Sequence, residues 1–147
     1  MTALIRWPIR LLFLWLTLAA ATPLRAQEAI PTADATAIRQ VIQSQLDAFQ
    51  HDDWQRAFGY AAPAIQTKFV SPEIFSQMVR GGYPQVYRPK SVEFRELSST
   101  EFGPTQRLFV IGPDGHAYMA FYTMERQPDG SWRISGCHLV ELEDESV

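Results

Sequence analysis

From residue 34 onward the apolar positions along the chain keep first one period and then another. Ile38, Val41, Ile42, Leu46 and Phe49 recur at the three- and four-residue spacing of a single helical face, which predicts an amphipathic helix over 34–52. Thr32 or Asp34 is placed to cap its start, and His51 to sit at its negative end. Asp53 then opens a second, short helix with Trp54, Ala57, Phe58 and Ala61 on one side, stopped by Pro63, with one more turn over 64–69. Ser71-Pro72-Glu73 combines a capping hydroxyl, a proline at the first helical position and an acid in the first turn. Ile74, Phe75, Met78 and Val79 form the stripe of a third helix, and Gly81-Gly82 ends it.

Beyond residue 90 the period becomes two. Strands are predicted over 91–97, 105–111, 116–126 and 131–142, with 98–104 as a loop. Gly112-Pro113-Asp114-Gly115 and Gln127-Pro128-Asp129-Gly130 are three-residue hairpin loops: proline presets φ, aspartate bonds the next backbone groups, and glycine takes the positive φ. Counting outward from the second loop sets Glu125 against Arg133, Thr123 against Ser135, Phe121 against Cys137 and Met119 against Leu139. The other face pairs Arg126 with Trp132, Met124 with Ile134, Tyr122 with Gly136, Ala120 with His138 and Tyr118 with Val140. Three helices packed on a four-stranded antiparallel sheet is therefore the expected α+β architecture. Both sheet faces are apolar at mid-strand, so the helices cover one, and a second copy of the chain is a candidate cover for the other.

The first residues add a compartment. Arg6 and Arg10 precede an uncharged run over 11–24 and small residues at Ala19-Ala20-Ala21 and Ala26, the layout of a cleaved export signal over 1–26. Arg25 interrupts the run too early for a membrane span. Cleavage after Ala21 or Ala26 fits, which puts the mature protein in the periplasm or outside the cell. What remains is a short linker over 27–33, one α+β domain over 34–142 and an acidic tail over 143–147. Three of the 13 Lys and Arg and none of the 16 Asp and Glu lie in the leader, so the mature chain is more acidic than the −3 of the whole, and a nucleic-acid partner is not expected. Cys137 is the only cysteine, so no disulfide within the chain supports the core; it reads as a small buried hydrophobe.

Some of the wording is familiar. Met78-Val79-Arg80-Gly81-Gly82-Tyr83-Pro84, Val86-Tyr87-Arg88-Pro89 and the run from Met124 to Cys137 resemble a family of exported bacterial proteins labelled domain of unknown function 4864. Element order and size look like the cone-shaped α+β fold of the nuclear-transport-factor-2-like (SnoaL-like) superfamily. That resemblance implies a cone with a pocket, and it implies either a binding module or a small lyase or isomerase with Asp, His or Tyr at the closed end.

Candidate chemistry is sparse. Tyr83-Pro84-Gln85-Val86-Tyr87-Arg88-Pro89 is an irregular link, and its tyrosines and arginine suit either a stiff connection or a cavity wall. Trp54, Tyr83, Tyr87, Tyr118, Tyr122 and His138 form the expected ligand-binding set, for a small apolar or amphipathic molecule. His138 or a pocket tyrosine is the acid/base group of the enzymatic alternative, with Asp53 a weaker candidate. His51-Asp52-Asp53 reads as helix punctuation, since neighbouring residues point apart and no further ligand sits at metal spacing. No metal, cofactor or phosphate-loop motif occurs.

Overall fold

The computed structural model describes residues 29–143. The expected leader over 1–26 and nearly all of the acidic tail lie outside the described residues. Helix α1 runs Thr32–Gln50, α2 Trp54–Gly59, α3 Pro63–Phe69, α4 Pro72–Gly82 and α5 Pro84–Tyr87; strands follow as β1 Ser91–Thr100, β2 Gly103–Ile111, β3 Ala117–Arg126 and β4 Trp132–Glu141. The three predicted helices are α1, α2 and α4. The extra turn is α3, and the link expected to be irregular holds the single-turn α5.

Capping follows the sequence at two of three helices. Asp53 accepts from the Arg56 N–H at 3.1 Å, and Ser71 accepts from the Ile74 N–H at 3.3 Å with Pro72 next to it. At α1 neither Thr32 nor Asp34 caps by its side chain. Asp34 reaches the sheet instead, accepting from Trp132 Nε1 at 3.2 Å and pairing with Arg126 at 3.5 Å. His51 closes α1 as expected, its ring Nδ1 2.7 Å from the Asp47 carbonyl.

The four strands pair in chain order as an antiparallel meander. Both Pro-Asp-Gly loops close three residues: the Gly112 and Gln127 N–H groups donate to the His116 and Ser131 carbonyls at 2.9 and 2.8 Å, and Gly115 and Gly130 take φ of +88° and +85°. The stretch 98–104 corrects the expected loop. It extends β1 and β2 to a two-residue turn between Thr100 and Gly103, because the Thr100 hydroxyl accepts from the Phe102 N–H at 3.2 Å and donates to the Gly103 carbonyl at 3.0 Å.

The β3–β4 register begins as counted, with Arg126 opposite Trp132, Glu125 opposite Arg133 and Met124 opposite Ile134. It then slips. Thr123 stands opposite Gly136, Tyr122 opposite Cys137, Phe121 opposite His138 and Ala120 opposite Leu139, so β4 carries one extra residue at a bulge around Ser135. Every residue of β4 beyond it exchanges faces relative to the regular alternation. Cys137 moves to the column of Tyr122, and His138 moves to the opposite face, exposed beside Phe121.

The core lies between the helices and one sheet face: Ile38, Ile42, Leu46 and Phe49 of α1 meet Leu108, Val110, Ala120, Tyr122 and Met124. A second bulge, in β1 between Phe94 and Leu97, is served by Gln106, whose buried amide donates to the Arg95 carbonyl at 2.8 Å. The edge of β4 is covered. Between α2 and α3 the chain bonds to it, the Ala62 N–H donating to the Ile134 carbonyl at 2.8 Å and the Ile134 N–H to the Tyr60 carbonyl at 2.9 Å.

Candidate functional site

A cavity of about 240 Å³ opens between α1, α3, α4, α5 and the bulged region of β4. Its walls are mostly apolar, from Phe49, Ile65, Phe69, Phe75, Met78, Val79 and Val86, and Lys68 is the one charged residue among them. The size is slightly below the range usual for ligand pockets. By scaling from the ~150 Å³ cavity that takes up benzene, it holds roughly ten non-hydrogen atoms.

The polar groups on its walls differ in what they already bond. Gln45, buried on α1, donates to the Ala57 carbonyl at 3.1 Å. The Tyr83 hydroxyl donates to the Cys137 carbonyl at 3.2 Å, pinning the strand just past the bulge, and Ser135 bonds Thr123 at 3.3 Å. Tyr122 is held more weakly: the residue is 1% exposed, and its hydroxyl meets no oxygen or nitrogen partner, only the Cys137 thiol beside it. Burial, and then the neighbouring Cys137 and Tyr83, push its pKa well above 10, so it stays a protonated donor. Burial likewise pushes the Cys137 thiol up to about 12, with Tyr122 pulling weakly the other way, and a thiol in that state is no nucleophile at neutral pH.

The mouth of the cavity carries strain. Val70 ends α3 at φ +66°, ψ −43°, and the Ser71 N–H donates to the Phe69 carbonyl at 2.7 Å. This is a γ-turn of the rarer, strained hand on a β-branched residue. It follows directly on Lys68 and Phe69, the last two residues of α3, which both line the cavity.

Of the six residues expected to bind a ligand, the structure brings Tyr83 and Tyr122 together in the cavity wall. Tyr118 is buried on the same sheet face but turns to the β2–β3 loop, its hydroxyl donating to Asp114 at 2.6 Å. Its ring also lies 3.0 Å from where a Cβ at Gly112 would stand, which explains a glycine there. His138 is excluded from this cavity by the bulge; it borders a depression on the outer sheet face with Phe102 and Phe121. Asp53 is a helix cap.

Trp54 and Tyr87 belong to a separate cluster that sequence reasoning missed as a unit. Asp52, at φ +54°, accepts from the Tyr87 hydroxyl at 2.6 Å and from Arg88 at 3.0 Å, and Arg80 lies 3.5 Å away. Arg80 and Arg88 stack on Trp54 and Tyr87 at 4.9 and 4.1 Å, and Arg88 also donates to the Phe49 carbonyl at the end of α1. The cluster ties α1, α4 and α5 together beneath the cavity wall. Its signal in the sequence was the spacing Arg80, Tyr87, Arg88, but Asp52 read as helix punctuation. Among the described residues no three His, Cys, Asp or Glu side chains converge as a metal site.

A family model described as domain of unknown function (DUF4864) matches residues 31–147. The chain belongs to this family. No curated protein matches the DUF4864 domain described here. Among solved structures it is similar to ActVI-ORFA from Streptomyces coelicolor, at 9% identity with a TM-score of 0.46, over 80% of this chain and 100% of that one. The three stretches of this DUF4864 domain that carried the resemblance converge in space. Met78, Val79 and Tyr83 from the first, Val86 from the second and Ile134 to Cys137 from the third meet across the cavity.

Proposed function

We propose that this domain binds a small apolar or amphipathic molecule in the cavity between its helices and β4, without transforming it. The observation that carries this reading is the Tyr122 hydroxyl, buried in a mostly apolar wall with no oxygen or nitrogen partner. An orphaned buried donor costs about 1–3 kcal/mol, and a ligand acceptor removes that cost. Catalysis lacks a base at this place: the thiol and phenol titrate far above neutrality, no carboxylate lines the walls, and His138 lies on the other face. A thermal-shift panel of small lipids and aromatic metabolites tests the reading. Apolar molecules of about ten heavy atoms raise Tm in the native protein and fail to do so in Ile65→Trp, which fills the cavity; no response across the panel overturns it.

A second reading concerns the outer sheet face. Phe109, Met119 and Phe121 are only part-buried there, Val140 is 41% exposed, and Phe102 at the β1–β2 turn is 73% exposed, a pattern that favours a second copy as cover. Sedimentation showing only monomer at high concentration overturns it. Export rests on the leader pattern alone; mass spectrometry finding a mature chain that starts at Thr22 or Gln27 supports it, and recovery of Met1 peptides overturns it.

A further inference from the structure

The binding reading leaves open what chemistry the cavity selects, and the polar inventory of its walls narrows that. The Gln45 amide N–H and the Tyr83 and Ser135 hydroxyls donate within the protein, at Ala57, Cys137 and Thr123. Besides the Cys137 thiol, two donors on the walls have no oxygen or nitrogen acceptor among the described residues. One is the Tyr122 hydroxyl, buried with only the weakly accepting Cys137 thiol beside it. The other is the Lys68 ammonium, exposed at the edge of the same cavity. Among the described residues no carboxylate pairs with Lys68; its neighbour is the Phe69 ring, 5.5 Å away.

Resting on the binding reading, we infer that the ligand is a monocarboxylic acid of about ten to twelve heavy atoms, carrying a hydrogen-bond acceptor toward the far end of its apolar body. The carboxylate stays at the rim, where Lys68 meets it in water and no charge has to be buried. The acceptor, a keto or similar oxygen, takes the Tyr122 proton. The walls between, from Phe49, Phe69, Phe75 and Val79, hold the chain or ring. A cationic ligand is disfavoured at the rim, and a plain alkane leaves Tyr122 unsatisfied.

Calorimetric titration of the mature protein with octanoate, octanamide and 7-oxooctanoate tests both ends separately. Octanoate binds about three- to five-fold more tightly than octanamide, the scale of an exposed ion pair, and Lys68→Gln abolishes that difference. 7-Oxooctanoate binds up to about ten-fold more tightly than octanoate, and Tyr122→Phe abolishes that difference. Both substitutions leave the circular dichroism spectrum unchanged. If octanamide and octanoate bind equally, or the acid preference survives in Lys68→Gln, the carboxylate assignment falls while the cavity still binds. A keto preference that is absent, or that persists in Tyr122→Phe, overturns the acceptor assignment in the same way. Binding of none of the three removes this inference and the binding reading together.

Discussion

Tyr122 pairs with Cys137 across β3 and β4, one residue further along β4 than the Pro128-Asp129-Gly130 loop alone sets it. That single displacement puts the thiol beside the phenol on the cavity side and sends His138 to the outer face. Gly136 makes it sterically possible, because a Cβ there would stand 2.7 Å from Thr123 Oγ1. Threonine is stiff at χ1 and cannot swing clear. Gly136→Ala is expected to cost about 1–3 kcal/mol in denaturant unfolding, and adding Thr123→Ala, which removes the opposing oxygen, recovers most of the loss.

Removing the Tyr122 hydroxyl has opposite effects on stability and on binding. The oxygen is buried with no partner stronger than the Cys137 thiol, so Tyr122→Phe is expected to raise the stability of the ligand-free protein by about 1 kcal/mol. Urea unfolding with and without a bound ligand checks it. A destabilised variant shows that the hydroxyl is needed by the fold instead.

The Cys137 thiol, raised to about 12, is expected to stay unmodified by maleimide at pH 8 in the folded protein and to react at once in denaturant. Its thiolate fraction, and hence its rate, is set by that pKa. Fast labelling under native conditions contradicts a thiol raised that far.

Acid stability depends on Asp52. The Tyr87 hydroxyl first, then Arg88 and Arg80, hold its carboxyl below the ordinary 3.8 against the opposing effect of burial. A depressed folded pKa contributes stability that is fully present above the unfolded value and is lost as pH falls through the folded one. Unfolding free energies measured from pH 7 down to about pH 2 are expected to fall below about pH 4. In Asp52→Asn the value at pH 7 is lower and this part of the acid limb is flatter.

Val70→Gly is expected to stabilise the protein by about 1 kcal/mol, because glycine adopts the strained γ-turn freely. Val70 is 76% exposed, so little packing is lost in exchange. Thermal unfolding of the two forms decides it; a lower Tm for the glycine variant shows that the valine side chain contributes more than its backbone costs.

Much of the fold was legible in local pattern. Asp53 and Ser71 cap where their positions relative to the apolar stripes put them, and both Pro-Asp-Gly loops close as their residues require. The site was legible only in part. Tyr83 and Tyr122 were identified as pocket residues, whereas Trp54 and Tyr87 joined a cluster around Asp52, Tyr118 bonded its own turn, and His138 was assigned to the wrong face. Lys68 and Val70 carried no signal, since an exposed lysine and valine at the end of a short helix look like any others.

By itself the sequence determined element types, their order, the hairpin turns and the first three β3–β4 pairs, because periodicity, capping and turn chemistry act over a few residues. Only the tertiary structure decided which face each residue of β4 beyond Ile134 occupies. Alternation carries that parity just until an extra residue is inserted, and this bulge is held from a distance: Tyr60 and Ala62 bond Ile134 on one side, and Tyr83 bonds the Cys137 carbonyl from 54 residues away. Contacts at that range leave no period in the chain. They also enclose the cavity and leave the Tyr122 hydroxyl without an oxygen or nitrogen partner.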